Sequence, residues 1–214
     1  MTKKNDLFSK PIEDKEYRTI EIGCQTWMAE NLNINHFRNG DPILNIEDGE
    51  AWGNVESGAW CYYNNDPDLG KIYGKLYNWN AVNDPRGLAP EGWHIPSDDD
   101  WKELELFLGM NNSDVNSKDW RGTDQGYKLK ETGTNHWHVP NTHATNETGF
   151  TALPGGYRDV EGFFYVIGNA GYWWTSTEYQ SYFAWFRSLF HTSGKIHRIT
   201  SYEGDGFSVR CVKD

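Results

Sequence analysis

The chain has 214 residues, a net charge of −11 from 20 Lys and Arg against 31 Asp and Glu, and 11 Trp, 12 Tyr and 10 Phe. An acidic chain lacks the cationic surface that displaces counterions from nucleic acid, so no nucleic-acid partner is predicted. The sequence contains no run of 18 apolar residues, so no membrane insertion is predicted, and its aromatic content excludes a disordered chain.

The first half of the chain is predicted to contain short strands and long loops. Residues 1–16 are polar and predict an N-terminal arm ahead of a single domain at residues 17–214. Tyr17–Ile22 alternates polar and apolar side chains, the pattern of a half-buried strand. Turn-forming Asn, Asp and Gly fill residues 33–70, and apolar residues at helical spacing predict a helix over Ile72–Val82.

The clearest local signal is a helix start at Ser97. Ser97 is a typical N-cap, and Asp100 takes the third helical position, as in a capping box. The acidic triplet Asp98–Asp100 favours the positive end of the helix dipole, and apolar residues recur at helical spacing until Gly109. Capping explains the triplet better than the alternative, a metal site.

The last third of the chain is predicted to form antiparallel strands. Strands are expected at Gly162–Ile167 and Gly171–Thr177, then a hairpin of Phe183–Ser188 and Lys195–Thr200, and a closing strand at Gly206–Val212. Helices early in the chain and strands late indicate an α+β domain.

Six segments together carry a family resemblance. They occur between Ile22 and Asp214 in the order IGCQTWMAENL, YGKLYNWNAV, GWHIPSDDDW, GFTALPGGYR, GYWWTSTE and GFSVRCVKD. With these motifs the chain resembles the Fibrobacter succinogenes major paralogous domain family, which is related to C-type-lectin-like folds in the branch that includes the formylglycine-generating enzymes. The resemblance implies a C-type-lectin-like domain, in which two helices pack on a small twisted antiparallel sheet with long loops and the N- and C-terminal strands pair.

A second resemblance concerns residues 171–214. Family-like ends, GYWWTSTE and GFSVRCVKD, frame a segment of miscellaneous residues, as in the variable proteins of diversity-generating retroelements. In those proteins mutagenesis replaces Asn codons by codons for residues such as Phe, Tyr, Ser, His, Ile and Thr. Nineteen Asn lie in residues 1–169 and none lie later, so this resemblance implies a variable ligand-binding surface at about residues 179–203.

The segment 183–190 carries apolar residues on both faces of its predicted strand. Packing against the core needs one face, and the other face is then free to hold a ligand, although burial of both faces is the alternative. Trp173, Trp174 and Trp185 are assigned to the core. The predicted ligand-binding residues are Tyr179, Tyr182, Phe186, Ser188, Phe190, His191, His197, Ile199 and Tyr202.

The same region is the basic part of the chain. Residues 181–214 carry five Lys and Arg against three Asp and Glu, a sum of +2, which leaves −13 for residues 1–180. Two interpretations stay open at this point. Either the distribution is chance combined with soluble strand faces, or it marks a cationic surface for an anionic or polar partner.

No pattern in the sequence predicts catalysis or a metal. The three cysteines lack metal-binding spacing, and a Cys61–Cys211 disulfide is predicted, with buried thiols as the alternative. The motifs GxSxG, HExxH and the P-loop are absent. Asp66 and Asp68 resemble calcium ligands and residues 136–143 hold three His, but turn chemistry and polar loops explain both groups, so no cofactor is predicted.

We therefore expect a non-catalytic domain that recognises a cell-surface protein or a glycan. No signal peptide is visible, which suits a phage particle as well as a cell-surface domain without its export signal. A homo-oligomer would gain avidity for such ligands. The alternatives are a surface or lipoprotein-type domain that binds glycan or matrix, and a divergent enzyme of the formylglycine-generating type.

Overall fold

The computed structural model describes residues 17–141 and 143–214, so the predicted arm at residues 1–16 lies outside the described residues. The described chain is α+β, as the sequence predicts. Its helices are α1 (Gly49–Gly53), α2 (Pro67–Tyr73), α3 (Trp79–Val82), α4 (Asp98–Phe107), α5 (Asn112–Asn116) and α6 (Gln125–Leu129), with a 3-10 turn at Tyr63–Asn65.

Short strands make up most of the remaining regular structure. In chain order they are β1 (Thr19–Ile22), β2 (Gln25–Met28), β3 (Leu44–Asn45), β4 (Ala59–Cys61), β5 (Leu76–Tyr77), β6 (Trp93–His94), β7 (Asp119–Arg121), β8 (Tyr157–Arg158), β9 (Phe164–Tyr165), β10 (Ala170–Gln180), β11 (Phe183–Phe190), β12 (Ile196–Tyr202) and β13 (Val212–Lys213). The three longest, β10 to β12, are consecutive, and β11 and β12 form the hairpin predicted from the sequence.

Two four-stranded sheets organise the fold. The terminal sheet has the order β1-β2-β13-β6, and the central sheet has the order β10-β11-β12-β7. A three-stranded sheet, β3-β4-β5, and the hairpin β8-β9 complete the set. All pairs are antiparallel except β3 with β4.

The two ends of the described chain share the terminal sheet, but the first and last strands are not neighbours. β13 pairs with β2, where Val212 lies opposite Trp27. β1 pairs only with β2, through a turn at Gly23 whose φ is +64°. The expected direct pairing of the N- and C-terminal strands is therefore replaced by pairing through the second strand.

The helix predicted over Ile72–Val82 is wrong, because Gly74 divides this segment. Gly74 has a φ of +78° and ends α2, after which β5 and α3 follow. A Cβ at Gly74 would lie 2.8 Å from the carbonyl oxygen of Leu32. The apolar spacing in this segment therefore reflects three short elements that each pack on the core.

The capping box at the start of α4 is confirmed. The amide of Asp100 donates to Ser97 Oγ at 3.1 Å, and the amide of Ser97 donates to Asp100 Oδ2 at 2.7 Å. α4 has ten residues, whereas each of the other five helices of the described chain has seven or fewer. The expected pair of helices is thus one long helix accompanied by several short ones.

The central sheet lies between two apolar clusters. One cluster contains Trp174, Phe186 and Phe207, and the other contains Trp173 and Leu189 together with α4 side chains. Across residues 17–141 and 143–214, no helix combines the length and the apolar character needed to cross a membrane.

Candidate functional site

β11 directs its side chains alternately to the two sides of the central sheet, as expected for a strand. Arg187 and Leu189 face α4 and its cluster, whereas Phe186 and Phe190 face the opposite side, where Tyr172 lies 5.8 and 6.1 Å from their ring centroids. The two faces therefore have different neighbours, and they also have different chemistry.

The face toward α4 holds a buried network of ion pairs. Arg187 donates to Glu105 Oε1 at 2.6 Å and to Asp98 Oδ1 at 2.8 Å. Arg198 of β12 donates to both oxygens of Asp98, at 2.8 and 2.7 Å, and Arg121 of β7 donates to Glu105 at 2.6 Å. The network ties three strands of the central sheet to α4.

The network keeps the Asp98 carboxyl ionised. Burial by itself raises the pKa of the Asp98 carboxyl, but hydrogen bonds from Arg198 and the charge of Arg187 outweigh burial and hold that pKa well below its usual range. Lys102 adds a third cation at 3.0 Å from Asp98. Both buried carboxylates on this face, those of Asp98 and Glu105, are thus paired with cationic side chains.

The opposite face of the central sheet opens into a groove of about 460 Å³. We call it the aromatic groove, because seven aromatic rings and His197 line it. The rings belong to Trp120, Tyr157, Tyr172, Phe186, Phe190, Tyr202 and Phe207.

Ring contacts fix the walls of the aromatic groove. Trp120 of β7 stacks on His197 with centroids 4.5 Å apart and planes 17° apart, and meets Phe190 edge-on at 5.0 Å. Tyr172 lies 4.8 Å from Tyr157. Burial lowers the pKa of His197, so the groove presents a neutral imidazole at neutral pH.

One end of the aromatic groove is acidic. Asp159, Glu161 and Asp205 contribute carboxylates there. Asp205 is only 5% exposed and accepts a hydrogen bond from the Ser201 hydroxyl. Burial raises the pKa of Asp205 to about 6, although hydrogen bonds from Ser201 and the Val160 amide oppose the rise.

Arg158 holds the loop that carries this acidic end. Its guanidinium donates to the carbonyl oxygens of Gly162, Ile46 and Glu47 at 3.0, 2.7 and 2.8 Å. It also lies 4.7 Å from the ring of Trp52. With all of these interactions made, Arg158 secures the loop from 159 to 163 without pairing with its carboxylates.

A second exposed feature is the tip of the β10–β11 hairpin. Tyr182 is 75% exposed and has a φ of +72°. Tyr179 packs edge-on against Trp185 at 5.1 Å, and Lys118 Nζ lies 4.0 Å from the centroid of Tyr179. The tip is thus a small exposed aromatic surface, and Tyr179 and Tyr182 do not belong to the groove lining.

A family model described as the Fibrobacter succinogenes major domain matches residues 20–213. The chain belongs to this family. No curated protein and no solved structure matches it.

In this Fibrobacter succinogenes major domain, several of the six sequence motifs meet at Asn31. The Asn31 side-chain oxygen accepts from Trp173 Nε1 at 2.9 Å and from Arg210 Nη2 at 2.9 Å. Its amide nitrogen donates to the carbonyl of Tyr73 at 2.8 Å. These buried contacts between distant segments show that the motifs build the scaffold, and three of the motifs also supply a groove ring each, namely Tyr157, Tyr172 and Phe207.

Four of the nine predicted ligand-binding residues line the aromatic groove: Phe186, Phe190, His197 and Tyr202. Tyr179 and Tyr182 lie on the exposed hairpin tip instead. Ser188 is fully buried next to the His197 ring, whose Nδ1 lies 3.4 Å from its hydroxyl oxygen. His191 and Ile199 are half-buried and lie outside the groove lining. The structure therefore divides the predicted set among groove, tip and interior.

The cationic-surface interpretation of residues 181–214 included Arg187, Lys195 and Arg198 with two His, and it is wrong for both of these arginines. Arg187 and Arg198 are buried and paired with carboxylates in the network toward α4. Three of the five basic residues of this segment, Arg187, Arg198 and Arg210, are buried inside the fold, whereas Lys195 and Lys213 are exposed. The groove next to it is acidic.

The predicted Cys61–Cys211 disulfide is also wrong. All three cysteines are free thiols, and the two buried ones lie in different apolar clusters. Burial raises the pKa of Cys61 to about 12 and raises that of Cys211 further. Both are protonated side chains of the core at neutral pH.

The residues that resembled metal ligands have structural partners. Asp66 caps α2 by accepting from the Asp68 amide at 2.8 Å, and Asp68 pairs with Lys71 at 2.6 Å. His136 and His138 turn to separate partners, Glu131 and Asn169. Within the part of the chain that the structure describes, no group of three or more His, Cys, Asp or Glu could hold a metal ion.

Sequence reasoning missed the larger part of the groove lining, eight of its thirteen residues, which comes from outside residues 179–203. These residues are Trp120, Tyr157, Asp159, Val160, Glu161, Tyr172, Asp205 and Phe207. Tyr157 and Tyr172 stand inside family-like motifs and are half-buried in the structure, so the only signal in the sequence was the presence of aromatic residues in those motifs. Nothing local marks Asp205, because its burial depends on the loop from 159 to 163.

Proposed function

We propose that this chain is a non-catalytic ligand-binding domain that takes its ligand in the aromatic groove. The observation that carries the proposal is an open groove with seven ring side chains and three carboxylates on one face of the central sheet. Aromatic rings supply large contact area at low entropic cost, and a few convergent polar groups orient a ligand. The ligand is a cell-surface protein or a glycan.

The scaffold that we propose is C-type-lectin-like. In support of it, both ends of the described chain share one sheet, helices and long loops surround a central antiparallel sheet, and the family match extends over residues 20–213. Such a scaffold presents a binding face while the rest of the domain stays packed.

The segment at about residues 179–203 is, on this proposal, the variable surface of a diversity-generating retroelement protein. It spans the hairpin tip, β11 and β12, and it contributes five residues to the groove lining. The absence of Asn after residue 169 agrees with this history. A near-repeat of the DNA that encodes residues 171–214, beside a reverse-transcriptase gene, is the expected genomic sign.

Binding without catalysis is the version we favour, because the two buried thiols of the three lack the properties of reactive cysteines. A reactive cysteine is an accessible thiolate, whereas Cys61 and Cys211 are buried with raised pKa values. Copper-dependent oxidation of a cysteine peptide by the purified chain would favour the formylglycine-generating alternative.

The proposal is tested by screening the domain on arrays of glycans and cell-surface proteins, with copies multimerised to gain avidity. Tyr202→Ala removes a 56% exposed ring from the groove and is expected to lower the signal of every ligand bound there at least fivefold. Phe107→Ala removes a 63% exposed ring on α4, outside the groove lining, and serves as the matched control. Equal loss in both variants, or no ligand at all, would contradict groove binding.

A further inference from the structure

One buried carboxylate of the aromatic groove, that of Asp205, has no cationic partner among the described residues. It is 5% exposed, lines the aromatic groove, and accepts a hydrogen bond from Ser201. Buried carboxylates are normally paired with a cation. Among the described residues no basic side chain pairs with Asp205, and the nearby Arg158 donates to three backbone carbonyls instead.

The surroundings of Asp205 are negative rather than compensating. Asp159 and Glu161 line the same end of the groove, and the charge of Asp159 opposes ionisation of Asp205. No Lys or Arg of the described chain lines the groove. The remaining titratable groups of the lining are His197, whose lowered pKa keeps it neutral, and the phenols of tyrosines.

The walls beside these carboxylates are faces and edges of aromatic rings. Tyr157 lies 5.4 Å from Tyr165 and 5.7 Å from Phe207, and Tyr202 of the lining is 56% exposed. The face of an aromatic ring attracts a cation, most strongly where water is displaced. A buried carboxylate beside aromatic rings is therefore suited to bind a cation, and the size of the groove fits an organic cation.

We propose that the aromatic groove binds its ligand through an organic ammonium group, which lies against the Asp205 carboxylate and the neighbouring rings. This inference rests on the proposed ligand-binding function and names the chemistry that the groove recognises. An amino sugar and a lysine side chain both supply that group. Acetylation removes its charge while it keeps most of its shape, which provides a matched pair of probes.

The experiment is a titration of the whole chain followed by NMR, with the glucosamine tetramer against its N-acetylated form. Nα-acetyl-lysine amide against its Nε-acetylated form is the second pair. We expect the ammonium form of at least one pair to bind about tenfold or more tightly than the acetylated form, since a charge-assisted contact is lost. The pair in which the ammonium form binds more tightly shows whether the ammonium group comes from an amino sugar or from a lysine side chain.

Three variants test whether the Asp205 carboxylate is the charge that the ammonium group contacts. Asp205→Asn keeps the size of the side chain and an acceptor for Ser201, and it is expected to remove about tenfold of the preference at pH 7.5. Glu103→Gln, an exposed acid on α4, is the control and is expected to leave the preference unchanged. Glu161→Gln, at the exposed rim, is expected to lower it two- to threefold.

Equal affinity for the ammonium and acetylated forms overturns the inference, as does a preference that Asp205→Asn leaves intact. Absence of binding by every amine overturns it as well. In each case, loss of array ligands in Tyr202→Ala alone would preserve the proposed groove function. If no array ligand depends on Tyr202, the proposed function itself fails. A preference for the ammonium form that wild type shows and Asp205→Asn loses would still show that the Asp205 carboxylate contacts the amine.

Discussion

The two faces of the central sheet are built by the same strands, yet their buried carboxylates differ in whether they have cationic partners. On the face toward α4, Asp98 and Glu105 are buried against three arginines, and the pKa of Asp98 is held low. On the groove face, Asp205 is buried without a cation, and its pKa is raised to about 6. Buried charged groups that have no counterion in the fold concentrate at functional sites. The contrast therefore distinguishes the scaffold face of the sheet from the face on which we propose the binding site.

The largest expected effect is on the face toward α4. Asp98→Asn leaves Arg187 and Arg198 buried without their shared counterion, so the free energy of unfolding should fall by about 3–5 kcal/mol. Chemical denaturation at pH 7 measures this fall. Asp99→Asn is the matched control in the same helical turn, because its side chain is 89% exposed, and it should change stability by less than about 0.5 kcal/mol. If Asp98→Asn lowered the free energy of unfolding no more than Asp99→Asn does, the ion-pair network would contribute no stability.

Adjacent residues of β11 compare the faces directly. Leu189→Ala opens a cavity in the cluster beside α4 and should cost about 2–4 kcal/mol of unfolding free energy. Phe190→Ala removes a half-buried groove ring and should cost about 1–2 kcal/mol. Thermal and urea unfolding of both variants give the comparison. A larger loss for Phe190→Ala would show that the groove wall supports the fold as much as the buried face does.

Asp205→Asn should stabilise the protein at neutral pH. The folded pKa of Asp205, about 6, lies above the unfolded value of 3.8, so the native state loses stability as the pH rises from about 4 to 6. Replacing the carboxyl should therefore add roughly 1–3 kcal/mol at pH 7 and almost nothing at pH 4. Urea unfolding at both pH values checks this. A gain that persists at pH 4, or a loss at pH 7, would contradict a buried unpaired carboxylate.

The smallest expected effect on stability comes from the rim of the groove. Tyr202 is 56% exposed, so Tyr202→Ala should change the free energy of unfolding by less than about 1 kcal/mol. Thermal unfolding measures this change. The same substitution should weaken ligand binding, because exposed Tyr residues at interfaces are frequent hot spots. If Tyr202→Ala lost stability but bound its ligand as tightly as wild type, Tyr202 would be a structural residue and not a ligand-binding one.

The sequence predicts those parts of the fold that local patterns determine. The capping box of Ser97 and Asp100 depends on residues three apart, and the two faces of β11 follow from alternation along one strand. The α+β class follows from the same kind of pattern. Gly74 escaped prediction because the apolar spacing around it fits a helix, and only the nearby carbonyl of Leu32 shows why the chain must turn there.

The site was less predictable, because it depends on contacts between distant segments. Arg187 meets Asp98 across 89 positions, so the sequence alone left a basic surface as an open interpretation. Asp205 and Phe207 follow β12 closely, whereas Tyr157 and Asp159 arrive from another part of the chain. A sequence shows which side chains are present, but only the fold shows which charges remain unpaired.

Trp120 gives this molecule a built-in optical reporter. Of its eleven Trp, nine are buried, Trp93 is half-buried, and Trp120 is 40% exposed on the wall of the groove, stacked on His197. A dissolved quencher such as acrylamide should therefore reach this indole before the others. An occupant of the groove should shield it and leave the emission of the interior unchanged, so fluorescence from unlabelled protein can report occupancy.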